Sequence, residues 1–202
     1  MKITWLGHAC FLLEQDGYRI VIDPYSEVEG YPELHTSAHA VYCSHQHFDH
    51  NAAGQVELLP DRASPFSVRE IPAFHDAENG ALRGPNTIRV FTAGGLSAAH
   101  LGDLGHRLSD EQLAALGHPD VLLVPVGGFY TVDGVGAKQI CEAVRPRCAV
   151  PMHYRFGSYG FSNIGTADAF LSRWKPEEIH YLDGPSWEPD GEAEGVYVPA
   201  FP

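Results

Sequence analysis

The amino-acid sequence predicts an α+β fold in which helices lie outside packed β-sheets. Strand-like stretches crowd the first half of the chain, helical stretches are interspersed through the second, and tight hairpin turns occur beside longer crossovers. At 202 residues the chain is long enough for a core that buries about 70% of its unfolded surface, and too short for two ordinary domains. A single unit over residues 1–202 is therefore expected.

Alternation over "MKITWLG" and "CFLLEQ" marks two strands, and the pair Asp16-Gly17 turns the second into a third, "YRIVID". A polar loop containing Pro and Gly leads to the short strand "HAVYCSH", and the spacing of "NAAGQVELL" predicts a helix after it. Three further strands follow in "FSVREIP", "NTIRVFTA" and "LSAAHLGD", the last two joined at Gly94-Gly95. Ser109 and Gln112 make a capping-box pattern that opens the helix "DEQLAALG". The buried strand "DVLLVPV", a helix over "VGAKQICEAVR", the strand "CAVPMH" and a helix from near Thr166 complete the order. The tail, rich in Pro, Gly and Glu, offers only short strands, and no repeat or linker divides the chain.

Composition narrows the function classes. The chain is 44% apolar and 11% aromatic, as globular proteins are, and no run of 18 apolar residues suggests a membrane span. Its N-terminus alternates like a strand and reaches acidic residues before any signal-type cleavage site. A cytoplasmic protein with no membrane partner is expected. Cys10, Cys43, Cys141 and Cys148 form no CxxC pair and sit in apolar surroundings, so they read as free thiols in a reducing compartment. The formal charge of −13 repels long polyanions and disfavours a nucleic-acid partner.

The stretch "SHQHFDHN", Ser44 to Asn51, carries the strongest signal. It brings His45, His47, Asp49 and His50 together, all side chains that donate a lone pair to a metal. On a strand, residues two apart face one side, so His45 and His47 can grip one ion as the strand ends. Asp49 and His50 then follow where the chain is expected to turn into a helix, placed for a second ion. Two ions sharing a site need about seven or eight protein ligands with a bridge, so more must lie downstream. His75 in "IPAFHD", Asp103 in "HLGDLGH" and His153 in "VPMHY" each follow a predicted strand, where side chains converge at a sheet edge.

These pieces, with "ITWLGHACFLLE", "IDPY", "RGPNTIRVF" and "LLVPVGGFYTVD", resemble the metallo-β-lactamase fold superfamily. Within it, the chain is similar to the predicted metal-dependent hydrolases related to ascorbate-6-phosphate lactonase. The resemblance covers about 150 residues in order and weakens after Arg155. It implies an αβ/βα sandwich of two mixed β-sheets with helices on the outer faces and two metal ions at the shared edge of the sheets. It further implies His45, His47 and His75 on one ion, Asp49, His50 and His153 on the other, and Asp103 as the bridge. No cysteine stands near Asp103, where true metallo-β-lactamases commonly have one, so antibiotic hydrolysis is not expected.

The resemblance also makes Asp23 in "IDPY" the aspartate that orients the ligand loop. His8 and His106 are candidates to orient water or substrate, and Tyr130 and Arg155 to hold an anionic substrate. Imidazoles with a carboxylate bridge accept zinc or manganese, with iron an alternative. The expected chemistry is hydrolysis of a small, anionic ester or lactone by a metal-bridging hydroxide, with Asp49 also moving a proton and Asp103 completing the catalytic pair. Two alternatives use the same scaffold: a small-molecule phosphodiesterase on the dinuclear site, and an iron-dependent oxidoreductase. His35, His39, His100, His118 and His180 join no constellation and read as structural.

Overall fold

The computed structural model describes residues 1–192 and 194–201; Ala193 and Pro202, within the expected 1–202 unit, lie outside the described residues. The chain opens with β1 (Lys2–Gly7), β2 (Cys10–Gln15) and β3 (Tyr18–Ile22). These pair antiparallel in succession, and Asp16 and Gly17 turn β2 into β3 with both φ angles positive, at 51° and 73°. β4 (Thr36–Ala38), β5 (Ala40–Tyr42) and β6 (Val56–Leu58) follow. Next come the antiparallel strands β7 (Ser67–Phe74), β8 (Pro85–Ala93) and β9 (Leu96–His100). The second half alternates: α1 (Asp110–Leu116), β10 (Val121–Pro125), α2 (Gly134–Val144), β11 (Cys148–Met152) and α3 (Asp168–Leu171). Short strands β12 (Ile179–Tyr181), β13 (Ser186–Trp187) and β14 (Gly195–Val198) end it.

Two mixed sheets result, in the order β13-β1-β2-β3-β5 and β12-β14-β11-β10-β9-β8-β7, with β4 and β6 paired beside them. This is the α+β sandwich expected from the sequence. Ile3, Trp5, Phe11 and Ile22 of the first sheet share one core with Ile88, Val90, Leu122 and Val150 of the second. Each residue of β10 and β11 is buried, and helix α2 packs on β10. The capping box at Ser109 forms as its sequence requires, with Ser109 Oγ accepting from Gln112 N at 3.2 Å and Gln112 Oε1 accepting from Ser109 N at 3.0 Å. The first sheet's other face carries Leu12 and Val21 and is covered by Tyr25, Val28, Leu34 and Val56 from the long connection.

Two helical expectations are corrected. Over "NAAGQVELL" only a single 3₁₀ turn, Ala53–Gln55, forms before β6. Val56 is the one buried residue there, so no apolar stripe exists to dock a helix, Gly54 disfavours one, and β4 offers strand partners instead. Helix α3 spans four residues rather than reaching Trp174; its last turn tightens into i→i+3 bonds, Arg173 N to Phe170 O and Trp174 N to Leu171 O, ahead of Pro176.

All four cysteines are free thiols, with Cys10, Cys141 and Cys148 buried and Cys43 partly so. Among the described residues no helix is long and apolar enough to cross a membrane. Strands β7, β9 and β11 run in one direction, as β3 and β5 do within the first sheet. Their C-terminal ends meet at a common edge, and the candidate ligands are attached there.

Candidate metal centre

Strand β5 ends at Tyr42, so residues 43–50 are irregular chain rather than strand. His45 and His47 therefore do not face one side by strand alternation, and no helix carries Asp49 and His50 away. What shapes the loop is Asp23. Its carboxylate, fully buried at the end of β3, accepts Ser44 N on Oδ1 at 2.6 Å and Ser44 Oγ on Oδ2 at 2.6 Å. Oδ2 also accepts from His50 Nδ1 at 2.8 Å.

The donor order follows from these contacts. Ser44 gives its only hydroxyl proton to Asp23, so its Oγ must accept from His45 Nδ1 at 2.9 Å. His75 Nδ1 donates to the carbonyl of Tyr130 at 3.1 Å. His45, His50 and His75 thus each carry a proton on Nδ1, so Nε2 is the nitrogen each can offer a metal, in His50 after loss of its second proton.

Those Nε2 atoms surround Asp103, which follows β9 and is 1% exposed. Asp103 Oδ2 lies 3.0 Å from His75 Nε2 and 3.2 Å from His153 Nε2, and Oδ1 lies 3.1 Å from His50 Nε2. Ligand atoms of His45, His47 and His75 lie within 4.8 Å of one another, and so do those of His8, Asp49, His50 and His153. Asp103 touches a member of each group. Gly102 lets the chain enter this position: its φ is +55°, and a Cβ there would lie 2.2 Å from Asn86 Oδ1, which accepts Asp103 N at 3.1 Å. His8, Asp23 and His153 also hold left-handed φ angles of 51°, 48° and 52°, so backbone strain gathers at this site.

Burial and charge set the protonation pattern. Burial, helped by the neighbouring His50, pushes His45 down to about 3, so it is neutral near pH 7. Burial also opposes charge on His50, but Asp103 and Asp23 outweigh it and hold His50 well above the usual imidazole range. Burial pushes Asp103 up, yet His153 and His50 hold its carboxyl well below the usual range. Buried Nε2 atoms of His45, His50 and His153, and Oδ1 of Asp103, have no hydrogen-bond partner. Buried polar atoms are rarely left so, and a cluster of imidazoles around carboxylates fits divalent ions. Oδ1 of Asp103 and the three imidazoles would be satisfied together by metal coordination.

The other candidates fall in different places. His8 is fully buried and sits 3.3 Å from Asp49 Oδ2 through Nε2, so it holds Asp49 rather than a substrate. Both ring nitrogens of His106 are engaged, Nε2 by Phe74 N and Nδ1 by Arg107 O, which fixes the strand end before His75 and leaves none for water. Tyr130 does line the cleft over the cluster, with His47, Phe48, Asp49, His75, Arg83, Asp103 and Phe161. Arg155 does not: it lines a separate cavity beside Trp5, Phe156 and Tyr181. Facing away from the cluster two residues past His153, it is replaced at the cleft by Arg83. The sequence reading missed Arg83 and Phe48, because neither belongs to a ligand pattern, whereas Phe161 comes from the segment after Arg155 that the sequence points to as shaping the pocket. His100 is structural as expected, its Nε2 donating to Ala9 O and its Nδ1 accepting from Gly102 N. A larger cavity of about 460 Å³ near Arg147 and Trp174 contains none of the candidate ligands, so chemistry rather than volume selects the site.

A sandwich of two mixed sheets with a His and Asp cluster at their common edge defines a metallo-β-lactamase class of domain. Residues 2–153 match the model of the β-lactamase superfamily domain, and the chain belongs to that superfamily. Within it, the chain is 33% identical over 211 residues to a UPF0173 protein of Pyrococcus abyssi, covering 90% of this chain and 94% of the relative. It is also 30% identical over 196 residues to the UPF0173 metal-dependent hydrolase of Carboxydothermus hydrogenoformans, covering 76% and 84%. Among solved structures it is similar to a protein of Thermotoga maritima assigned as a Zn-dependent hydrolase of the metallo-β-lactamase superfamily. That likeness has a TM-score of 0.78 and 34% identity over 98% of this chain and 97% of the other.

Proposed function

We propose that this chain is a single-domain, dinuclear metal-dependent hydrolase acting on a small ester or lactone, with zinc or manganese as its ions. The observation that carries the reading is the ring of imidazole Nε2 atoms around Asp103, each held in the ligating tautomer by a partner on Nδ1 or left without a partner of its own. His45, His47 and His75 would hold one ion, Asp49, His50 and His153 the other, and Asp103 would serve both. Ions of this kind supply Lewis acidity and lower the pKa of water to ~7.

The chain's own residues do the rest. Asp23 and Ser44 lock the ligand loop, and Tyr130 O locks His75, so the site is organised before any substrate arrives. Burial pushes the Asp49 carboxyl up, but the hydrogen bond from His8 and the nearby His50 charge hold it below the usual range. Asp49 is thus an ionised acceptor at the cleft wall, its Oδ2 held by the N–H that His8 Nε2 donates. Access favours small molecules. The cleft is about 250 Å³, below the ~300–1,000 Å³ usual for drug-sized ligands. The −13 charge opposes approach of a long polyanion.

The test is turnover by protein purified without chelators. Generic esters, lactones and simple phosphodiesters are screened with added zinc or manganese, before and after chelation. Chelator-sensitive cleavage of an ester or lactone is expected. Cleavage of phosphodiesters alone would replace the carbonyl substrate with a phosphoryl one, and activity that survives complete metal removal would refute the metal-dependent reading.

A further inference from the structure

Among the described residues, Arg83 is the one Lys or Arg side chain lining the cleft over the His and Asp cluster. Among the described residues no carboxylate lies within 4.0 Å of its guanidinium, whereas Arg19, Arg89 and Arg147 are each paired with an acid. Of the half-buried arginines among the described residues, Arg83 and Arg155 have no acid beside them, and of these two it is Arg83 that lines the cleft. Its recorded polar contact is neutral, Nη2 donating to Phe129 O at 3.1 Å, and the guanidinium lies 5.8 Å from the ring centre of Tyr130. The remaining donors of its fork are left for a ligand.

The backbone that carries Arg83 is built to hold its place. Asp76, next to His75, accepts Glu78 N and Gly80 N on Oδ1 at 2.8 and 2.9 Å, and Leu82 N and Arg83 N on Oδ2 at 3.1 and 2.7 Å. The loop is wound around one carboxylate and returns to its start, since His75 N donates to Gly84 O at 3.1 Å. Tyr130 closes the arrangement: its carbonyl holds His75 and its ring lies under Arg83. Guanidinium and cluster are therefore fixed relative to each other. Opposite them the wall is apolar, with Phe48 55% exposed and its ring centre 6.1 Å from that of Phe161. Phe161 in turn lies 6.2 Å from Tyr130.

We infer that Arg83 recognises an oxyanion carried by the substrate, a carboxylate or phosphate set apart from the bond that is cut. The body between the two groups is apolar and packs against Phe48, Phe161 and Tyr130. The substrate class is thus a small amphipathic ester or lactone with one acidic end. A planar fork matches such oxyanions in bidentate fashion, and a partly buried site strengthens the contact. The inference rests on the hydrolase reading for what is cut, but not for what is bound.

The experiment titrates the zinc-loaded protein by calorimetry with phenylacetate, phenylphosphonate and the neutral phenylacetamide. In parallel, the 4-nitrophenyl monoester of glutaric acid and 4-nitrophenyl butyrate are assayed as an acidic and a neutral substrate. Arg83→Gln is expected to weaken the better-bound anion about tenfold or more and to raise KM for the acidic ester by a similar factor. Phenylacetamide and the butyrate ester should change less than twofold, and Arg83→Lys should fall between. Whichever anion the wild type binds more tightly identifies the acidic end as carboxylate or phosphate. Anion binding within twofold of wild type in Arg83→Gln, an equal loss for the amide, or loss of zinc from the variant would overturn the inference. Should the wild type cut neither ester yet still select anions through Arg83, the hydrolase reading fails and the recognition role stands.

Discussion

Replacing Asp23 with Asn removes one charge and almost no volume, and its consequence can be worked out atom by atom. In the native protein the carboxylate accepts three hydrogen bonds, from Ser44 N, Ser44 Oγ and His50 Nδ1. An amide offers one acceptor oxygen and two N–H donors. If the oxygen takes the place of Oδ1 it keeps Ser44 N, and the amide N–H faces Ser44 Oγ and His50 Nδ1, which can accept only with the imidazole proton on Nε2, the atom that must ligate. If the oxygen takes the place of Oδ2 it keeps Ser44 Oγ and His50 Nδ1, but the amide N–H then meets Ser44 N–H, two donors face to face, and the backbone that carries His45 is pushed out of place. Either placement disturbs the loop that carries His45 and His50, one imidazole from each ligand group. Loss of such an orienting partner typically lowers metal affinity about 10–100-fold, or about 1.4–2.8 kcal/mol. Competition titration against a chromogenic chelator, with folding checked by circular dichroism, measures it. Asp23→Asn is expected to weaken both ions, whereas Ser44→Ala, which touches only the His45 branch, should weaken one. Affinities within twofold of wild type for both ions in Asp23→Asn would refute the tautomer argument.

Three more outcomes follow from the same geometry. Asp103→Ala should cost more metal than Asp23→Ala, leaving less than one ion per chain by elemental analysis, because Asp103 contacts both ligand groups; equal losses would undo its assignment as the bridge. Metal binding should release a proton near neutral pH, since Asp103 and Asp23 keep His50 protonated above the usual imidazole range despite its burial and a ligand must be neutral. Affinity should therefore rise with pH until that proton is gone, and calorimetry in buffers of different ionisation enthalpy counts it; zero protons released would contradict this. Arg155→Ala should leave KM for an acidic ester within about twofold of wild type, because Arg155 lines another cavity, and a selective rise would return the anion-holding role to it.

Much of this was legible in the sequence where one local rule decides an element. Asp16-Gly17 can turn a hairpin with positive φ at both residues, and Ser109 with Gln112 caps a helix, whatever the rest of the chain does. The ligand set was equally legible, because four donor side chains in six residues leave few structural explanations. Where tertiary partners decide, the sequence misled. "NAAGQVELL" has the spacing of a helix, but β4 lies ready to pair with Val56–Leu58 and no surface awaits a helical stripe. Pairing of His45 with His47 was reached through strand alternation, although the actual cause is an irregular loop pinned by Asp23 twenty-one residues upstream of Ser44. Arg83 escaped notice because its place at the cleft depends on how its loop folds back around Asp76, and no periodicity encodes that.

The claim that two ions share this site is tested most directly by anomalous diffraction at the zinc edge from crystals of the zinc-reconstituted protein. Two peaks are expected, one on either side of Asp103, with His45, His47 and His75 around the first and Asp49, His50 and His153 around the second. A single peak, or two peaks away from Asp103, would contradict the dinuclear centre.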